Sequence, residues 1–124
     1  FVWLGAGWLL SGVQGLLHTA GIMALGLAPL HALAVGYFAT MTVAMVSRVT
    51  LGHSGRPLVA DTLTWSLALG LHAVACVRLL ADLLPAGQAF LLALAGVGWL
   101  AVFTPLAMRV VPIYLSRRAD GKAG

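Results

Sequence analysis

Charged residues are scarce in this chain of 124 residues: 8% of them are charged, whereas 61% are hydrophobic. Soluble domains carry about a quarter charged residues, so the composition excludes an ordinary soluble domain and indicates an integral membrane protein in contact with lipid. Seven lysines and arginines against three acidic residues give a formal net charge of +4. In a chain this apolar, membrane topology explains the positive excess, and we expect no nucleic-acid partner.

Cysteine is nearly absent as well. Cys76 is the single cysteine, which excludes a disulfide within the chain and a metal site built from cysteines alone. The sequence also lacks a GxSxG elbow, a Walker A loop and the HExxH and CxxC motifs, and its three aspartates form no carboxylate dyad. A hydrolase or a nucleotide-dependent enzyme is therefore not expected, and the sequence points to no catalytic residue.

Four apolar runs are each long enough to cross a bilayer, which takes roughly 20 residues in a helix. They cover about residues 2–27, 31–50, 58–84 and 88–115, and they leave a polar tail at residues 116–124. The sequence therefore predicts an all-α membrane protein whose transmembrane region, residues 1–115, is an up-and-down bundle of about four helices. Because the chain opens on Phe1 without a methionine, we interpret it as the C-terminal part of a longer polytopic protein.

Basic residues predict the orientation in the membrane. Four helices joined by short connections put both termini and the turn at residues 52–57 on the same side. Six of the seven basic residues fall on that side; they are Arg48, Arg56, Arg109, Arg117, Arg118 and Lys122. By the positive-inside rule this side is cytoplasmic, and so is the polar C-terminal tail.

Four histidines require an explanation, because ionisable side chains are costly inside a membrane and often mark a functional site there. The helix rise places His18 and His72 near the middle of the first and third predicted helices. Two histidines at similar depth on different helices are typical of bundles that hold a metal or a haem iron from facing sides. We therefore predict that His18 and His72 bind a cofactor.

A second candidate site lies near the outer surface. His31 begins the second predicted helix, and Met45 lies further along the same helical face. Thioethers suit Cu(I) and imidazoles suit several copper states, so this combination favours copper. The alternative is that His31 anchors the start of the helix while the methionine fills the core. Close to the same surface, Arg78 and Asp82 are four residues apart and are expected to pair within the third helix.

The connection SRVTLGHSGRPLVAD, residues 47–61, combines His53 with Arg48 and Arg56. The helix that follows begins with unpaired N–H groups, which favour an anion. These residues are candidates for binding a haem propionate, a phosphate or a lipid headgroup, and His53 is a further candidate metal ligand. The alternative is a solvated loop without a ligand, because Asp61 can neutralise the arginines.

The run HALAVGYFATMTVAMVSRVTLGHSGRPL, residues 31–58, resembles the signature of the NnrS family. The family pattern opens with H-A-L-x-x-G and closes with M-x-x-R-x-x-L-G-H-[ST]-G-R-P-L, and both parts match. The family consists of bacterial inner-membrane proteins of the nitric-oxide response that contain haem and copper. Its members are longer and cross the membrane more often, so the resemblance implies that this chain is the last third of such a protein and packs against its N-terminal helices.

The resemblance implies haem and copper as cofactors, nitric oxide as a molecule that the protein encounters, and relief of nitrosative stress as its role. It does not imply which histidine binds which metal. A haem between His18 and His72 and copper near His31 is our hypothesis from depth and helical face. A transporter or channel without haem is the alternative, because polar residues at mid-membrane also occur in transporters, and a purely structural bundle is a third possibility.

Overall fold

The computed structural model describes residues 1–117 and 119, and these residues form helices without a β-strand. The four helices are α1 (Val2–Thr19), α2 (Ala28–His53), α3 (Thr62–Leu83) and α4 (Gln88–Leu115). The predicted all-α membrane class is confirmed. Of the helices described, α2, α3 and α4 are long and apolar enough to span a membrane, while the 18-residue α1 is not among them.

Two helix boundaries differ clearly from those that the apolar runs predicted. The first helix ends at Thr19 rather than near residue 27, because the chain turns through Gly21 and Gly26, both of which have positive φ. The third begins at Thr62 rather than at residue 58, because Asp61 caps it: a carboxylate oxygen of Asp61 accepts a hydrogen bond of 3.0 Å from the backbone N–H of Thr64. Residues 54–61 are a non-helical connection.

The core lies between α2, α3 and α4 and is centred on α3. Its buried members are Val43, Leu67, Leu71, Val74 and Val102. Glycine allows α3 and α4 to approach closely, because a Cβ added at Gly98 would lie 2.8 Å from the Val74 side chain and one at Gly70 would lie 3.0 Å from Val102. Such small residues at helix contacts are typical of membrane bundles, where dispersion forces replace the hydrophobic effect between helices.

Helices α1 and α2 form an antiparallel hairpin. Near its turn, the amide of Gln14 donates a 3.2 Å hydrogen bond to the carbonyl oxygen of Gly26. Further along, Trp3 lies against Gly36, and the two are so close that a Cβ on Gly36 would come within 2.5 Å of the indole. The beginning of α1 is therefore level with the middle of α2, and its end lies at the hairpin turn.

The middle of α2 departs from α-helical geometry. Ala32–Ala39 form a π-helix between the α-helical segments Ala28–His31 and Thr40–His53. A π-helical stretch is rare, has wider turns than an α-helix and is frequent at functional sites. Its eight residues change which side chains of α2 face the neighbouring helices.

The two ends of the bundle differ in charge. At one end, which we call the basic end, Arg109 of α4 pairs with Asp61, and the Thr50 hydroxyl donates a 3.1 Å hydrogen bond to the hydroxyl of Tyr114. At the opposite end lies an ion-pair cluster around Asp82. Of the basic residues that predicted the orientation, Arg118 and Lys122 lie outside the described residues, as does most of the tail at residues 116–124.

Candidate cofactor-binding site

His72 lies at the wall of a cavity in the part of the bundle where α1, α2 and α3 meet. The cavity has a volume of about 420 Å³ and is lined by Phe1, Val2, Trp3, Gly36, Tyr37, Thr40, Met41 and His72. The Nδ1 atom of His72 is buried and has no hydrogen-bond partner among the described residues. An unsatisfied buried polar atom costs about 1–3 kcal/mol and is rare in native proteins, so it calls for an explanation such as a ligand.

The π-helix and α1 together shape this cavity. The ring of Trp3 meets the ring of His72 edge-on, with centroids 6.3 Å apart and an interplanar angle of 63°. Trp3 can occupy this position because Gly36 has no side chain. Two consecutive turns of α2 then present Gly36, Tyr37, Thr40 and Met41 to the cavity. The cavity wall thus offers two groups that bind soft metals or haem iron, the imidazole of His72 and the thioether of Met41.

His18 does not reach this cavity. Trp3, which contacts His72, precedes His18 by fifteen residues in one continuous helix, a separation of about 22 Å along the axis. His18 lies instead in the last turn of α1, with its Nδ1 atom 3.1 Å from the Met23 sulfur. The structure therefore does not bring His18 and His72 to facing positions, because α1 ends earlier than predicted and its first turn is the part beside His72.

His31 belongs to the ion-pair cluster around Asp82, at the end of the bundle opposite the basic end. Its Nδ1 atom is 2.6 Å from one carboxylate oxygen of Asp82, while Arg78 donates a 2.8 Å hydrogen bond to the other oxygen, and the Asp82 side chain is only 6% exposed. The predicted pairing of Arg78 with Asp82 is confirmed. The sequence did not predict the contact between His31 and Asp82, although these two residues adjoin turns at the same end of the bundle. Because Nδ1 is engaged, Nε2 is the ring nitrogen left for a metal.

Met45 does not join His31. The two residues are fourteen positions apart on α2 with the π-helix between them, so they lie at different depths and the wider turns shift their relative faces. Met45 is exposed on the outer surface. The methionine that lines a cavity together with a histidine, His72, is Met41.

The residues of the basic connection are dispersed. Arg48 is exposed on α2, His53 is the exposed last residue of that helix, and Arg56 is half-buried with its Nη1 atom unpartnered among the described residues. Asp61 does not neutralise the two arginines. It accepts hydrogen bonds of 2.7 and 2.8 Å from Arg109. Arg109, followed by the hydrogen bonds from Thr64, holds the pKa of Asp61 well below its usual range.

Comparison with known proteins supplies the family. The family model described as "NnrS protein" matches residues 1–118. The chain belongs to the NnrS family. The resemblance carried by residues 31–58 is thereby confirmed and extends over nearly the whole sequence. No curated protein and no solved structure matches the chain.

This NnrS-family chain is a membrane protein by its family and its three apolar helices. Within residues 1–117 and 119 no three histidine, cysteine or acidic side chains come together as a metal-binding group. The single cysteine, Cys76, is exposed.

Proposed function

We propose that this NnrS-family chain is part of an integral membrane protein that binds haem and copper and acts in the response to nitric oxide. The observation that carries the proposal is that His72 lines a cavity while its buried Nδ1 atom has no hydrogen-bond partner in the part of the chain that the structure describes. Family membership supplies the identity of the cofactors. The half-buried imidazole at the cavity wall supplies a reason, independent of the family, to propose a metal in the middle of the bundle.

The His72 cavity suits haem in three respects. Its volume of about 420 Å³ falls within the range of small-molecule sites, roughly 300–1,000 Å³. Its lining is aromatic and apolar apart from a few polar atoms, as expected for a porphyrin face. Imidazole and thioether are both ligands of haem iron in proteins, so His72 and Met41 are the lining residues that would hold a haem here. Bound haem would supply a redox-active iron able to bind nitric oxide.

The side chains around His72 would determine how a cofactor sits. Trp3 fixes the plane of the imidazole by its edge-on contact, and Gly36 leaves room for the indole. The apolar part of the lining would keep water from a bound metal. His18, with the Met23 sulfur beside it, stays a separate candidate ligand at the hairpin turn rather than a partner of His72.

For copper we propose His31 as a ligand. A histidine that binds a metal usually directs its other ring nitrogen to a carboxylate, which fixes the ring and raises its basicity. Asp82 occupies that position, and Arg78 holds Asp82 in turn. Further ligands would come from the N-terminal helices of the full-length protein, since His31 is the single imidazole of this cluster.

We also propose that the protein lies in the bacterial inner membrane with its basic end in the cytoplasm. Arg48, Arg56, Arg109 and Arg117 are all at or near that end, whereas Arg78 at the opposite end is paired with Asp82. This distribution is the one that the positive-inside rule describes.

The test uses the full-length protein purified in detergent, with an optical spectrum and metal analysis. We expect His72→Ala to remove or strongly reduce the Soret band and Met41→Leu to shift it. Met45→Leu is the matched control, because Met45 lies on the same helix but outside the cavity, and it should leave the spectrum unchanged. His31→Ala should lower the copper content while haem is retained. An unchanged Soret band in His72→Ala would refute the assignment of haem to this cavity.

The π-helix within α2 and the two prolines within α4, Pro105 and Pro112, favour a second candidate, a transporter or channel part, because interrupted helices serve as moving parts in such proteins. The same preparation separates the two functions. A transporter would show no Soret band and would move a solute across the membrane of proteoliposomes.

A further inference from the structure

A groove separate from the His72 cavity runs between α2 and α3 at the basic end. Its volume is about 360 Å³, and along α2 it extends from Thr40 to Leu51, a length of about 16 Å. Val43 and Leu71 form its floor, and Leu58 and Val59 of the connection lie at its edge. The groove is long, narrow and apolar, so its shape and its lining suit an acyl chain.

One charged side chain lines this groove. Arg48 is exposed and lies three residues from the end of the groove at Leu51, so its guanidinium is near the membrane surface while the rest of the groove is in the apolar layer. Two hydroxyl groups also line the groove. Ser47 directly precedes Arg48 in the sequence, and Thr64 lies on the facing helix, α3. The residues that line the groove include no carboxylate that could neutralise Arg48. Asp61, which adjoins the lining in sequence, is already paired with Arg109.

The connection at the mouth of the groove is suited to the membrane interface. Leu58 and Val59 are 58% and 67% exposed, in a non-helical segment directly before α3. Trp65, in the first turn of α3, also lines the groove and is 62% exposed. Exposed tryptophan near a helix end is typical of the headgroup level of a bilayer. These residues place the cationic end of the groove at headgroup depth.

We propose that this groove is a binding site for an anionic phospholipid, with one acyl chain in the groove and the phosphate headgroup at Arg48. Basic pockets between transmembrane helices on the cytoplasmic side are known to select such headgroups. The proposal does not depend on haem or copper. It assigns Arg48 a ligand, a lipid phosphate. A lipid is favoured over a free anion because Arg48 lines an apolar groove that can take an acyl chain.

The test measures quenching of Trp65 by brominated lipid. Full-length protein is reconstituted in nanodiscs that contain either dibromo-phosphatidylglycerol or dibromo-phosphatidylcholine at equal mole fraction. The difference between the fluorescence of the parent protein and that of Trp65→Phe isolates the Trp65 signal from that of the other tryptophans. We expect apparent binding of the anionic lipid to be about fivefold stronger, the effect of one arginine near an anionic headgroup.

Matched variants connect the preference to the groove. Arg48→Gln should abolish the fivefold preference, while Arg48→Lys should retain most of it. Arg117→Gln removes the same charge at the same end of the bundle but outside the groove, and it should leave the preference intact. Ala44→Leu, which fills the groove, should weaken quenching by both lipids.

Three results would overturn the proposal. Equal quenching by the two lipids would exclude headgroup selection, and a preference that survives in Arg48→Gln would place the headgroup elsewhere. Quenching in the haem-free protein that disappears on haem loading would show that haem, rather than lipid, occupies the groove. Because the haem test above monitors His72, failure of either proposal is recognised independently of the other.

Discussion

Replacing Gly36 by alanine tests the packing that shapes the His72 cavity. A Cβ at this position would lie 2.5 Å from Cδ2, 2.7 Å from Cγ and 2.8 Å from Cε3 of the Trp3 indole. All three atoms belong to one rigid ring that also touches His72. The added methyl group therefore cannot be accommodated by rotating a flexible side-chain end, and either α1 or the indole must move.

The expected magnitude follows from two opposing effects. Alanine stabilises a helix relative to glycine by about 0.5–1 kcal/mol, whereas forcing an extra methyl group into a packed contact costs about 1–3 kcal/mol. At Gly12 nothing lies within 4 Å of an added Cβ, so Gly12→Ala experiences only the first effect. We expect Gly36→Ala to be less stable than Gly12→Ala by about 1–3 kcal/mol.

The assay is the free energy of unfolding of the full-length protein, measured by titrating a denaturing detergent into mixed micelles. Trp3→Leu should relieve the clash, so the double variant with Gly36→Ala should be more stable than the sum of the single changes predicts. The reasoning would be refuted if Gly36→Ala and Gly12→Ala had the same stability to within about 0.5 kcal/mol. In that case Trp3 would not lie against the π-helix.

Two further predictions concern the charge clusters at the ends of the bundle. Asp82→Asn should cost about 2 kcal/mol or more in free energy of unfolding, because Arg78 and His31 lose a buried anionic partner. Asp61→Asn should cost less, because Asp61 belongs to a half-exposed pair. Equal losses in the two variants would contradict the burial of Asp82. The second concerns pH: because the folded-state pKa of Asp61 is depressed, chiefly by Arg109, its contribution to stability is present at neutral pH and lost as the pH falls below about 4. In Arg109→Gln the pKa of Asp61 should return toward its usual range. The free energy of unfolding, measured between about pH 6 and 2, should then decrease less in acid than it does in the parent protein. An unchanged acid dependence would count against the pair of Asp61 and Arg109.

The helical class could be predicted because hydropathy alone determines it. An apolar run between Gly87 and Ser116 contains one basic residue, Arg109, and no acidic residue, and such a run can satisfy its backbone in lipid only as a helix. The family could be predicted because residues 31–58 contain a long specific pattern. Both inferences use information that is local in the sequence, so neither needs the packing of helices to be known.

The candidate site could be predicted only in part, because depth and face depend on packing. His72 was found by its position in a long apolar run. His18 was assigned the same depth because the chain near it is apolar through residue 27, but two glycines with positive φ end that helix early. The π-helix has no recognisable sequence mark, and Met41 rather than Met45 is the methionine that lines a cavity together with a histidine.

The contact between His31 and Asp82 was beyond sequence reasoning for a different reason. The two residues are 51 positions apart, and pairing them requires the start of α2 to pack against the end of α3. Sequence spacing predicted Arg78 as the partner of Asp82 because both lie on one helix. A carboxylate has two oxygens and can accept hydrogen bonds from two partners. The predicted pair of Arg78 and Asp82 therefore did not exclude a contact between Asp82 and His31.

The distribution of polar contacts also explains why His72 differs from the other histidines. Asp82 engages His31 at one end of the bundle, and His18 and His53 are exposed. His72 lies between the ends, where the bilayer provides no water to a buried nitrogen. Whichever tautomer it adopts, its Nδ1 atom stays unpaired with the described residues. A change of tautomer cannot remove this cost, so a partner for Nδ1 has to come from outside the described residues.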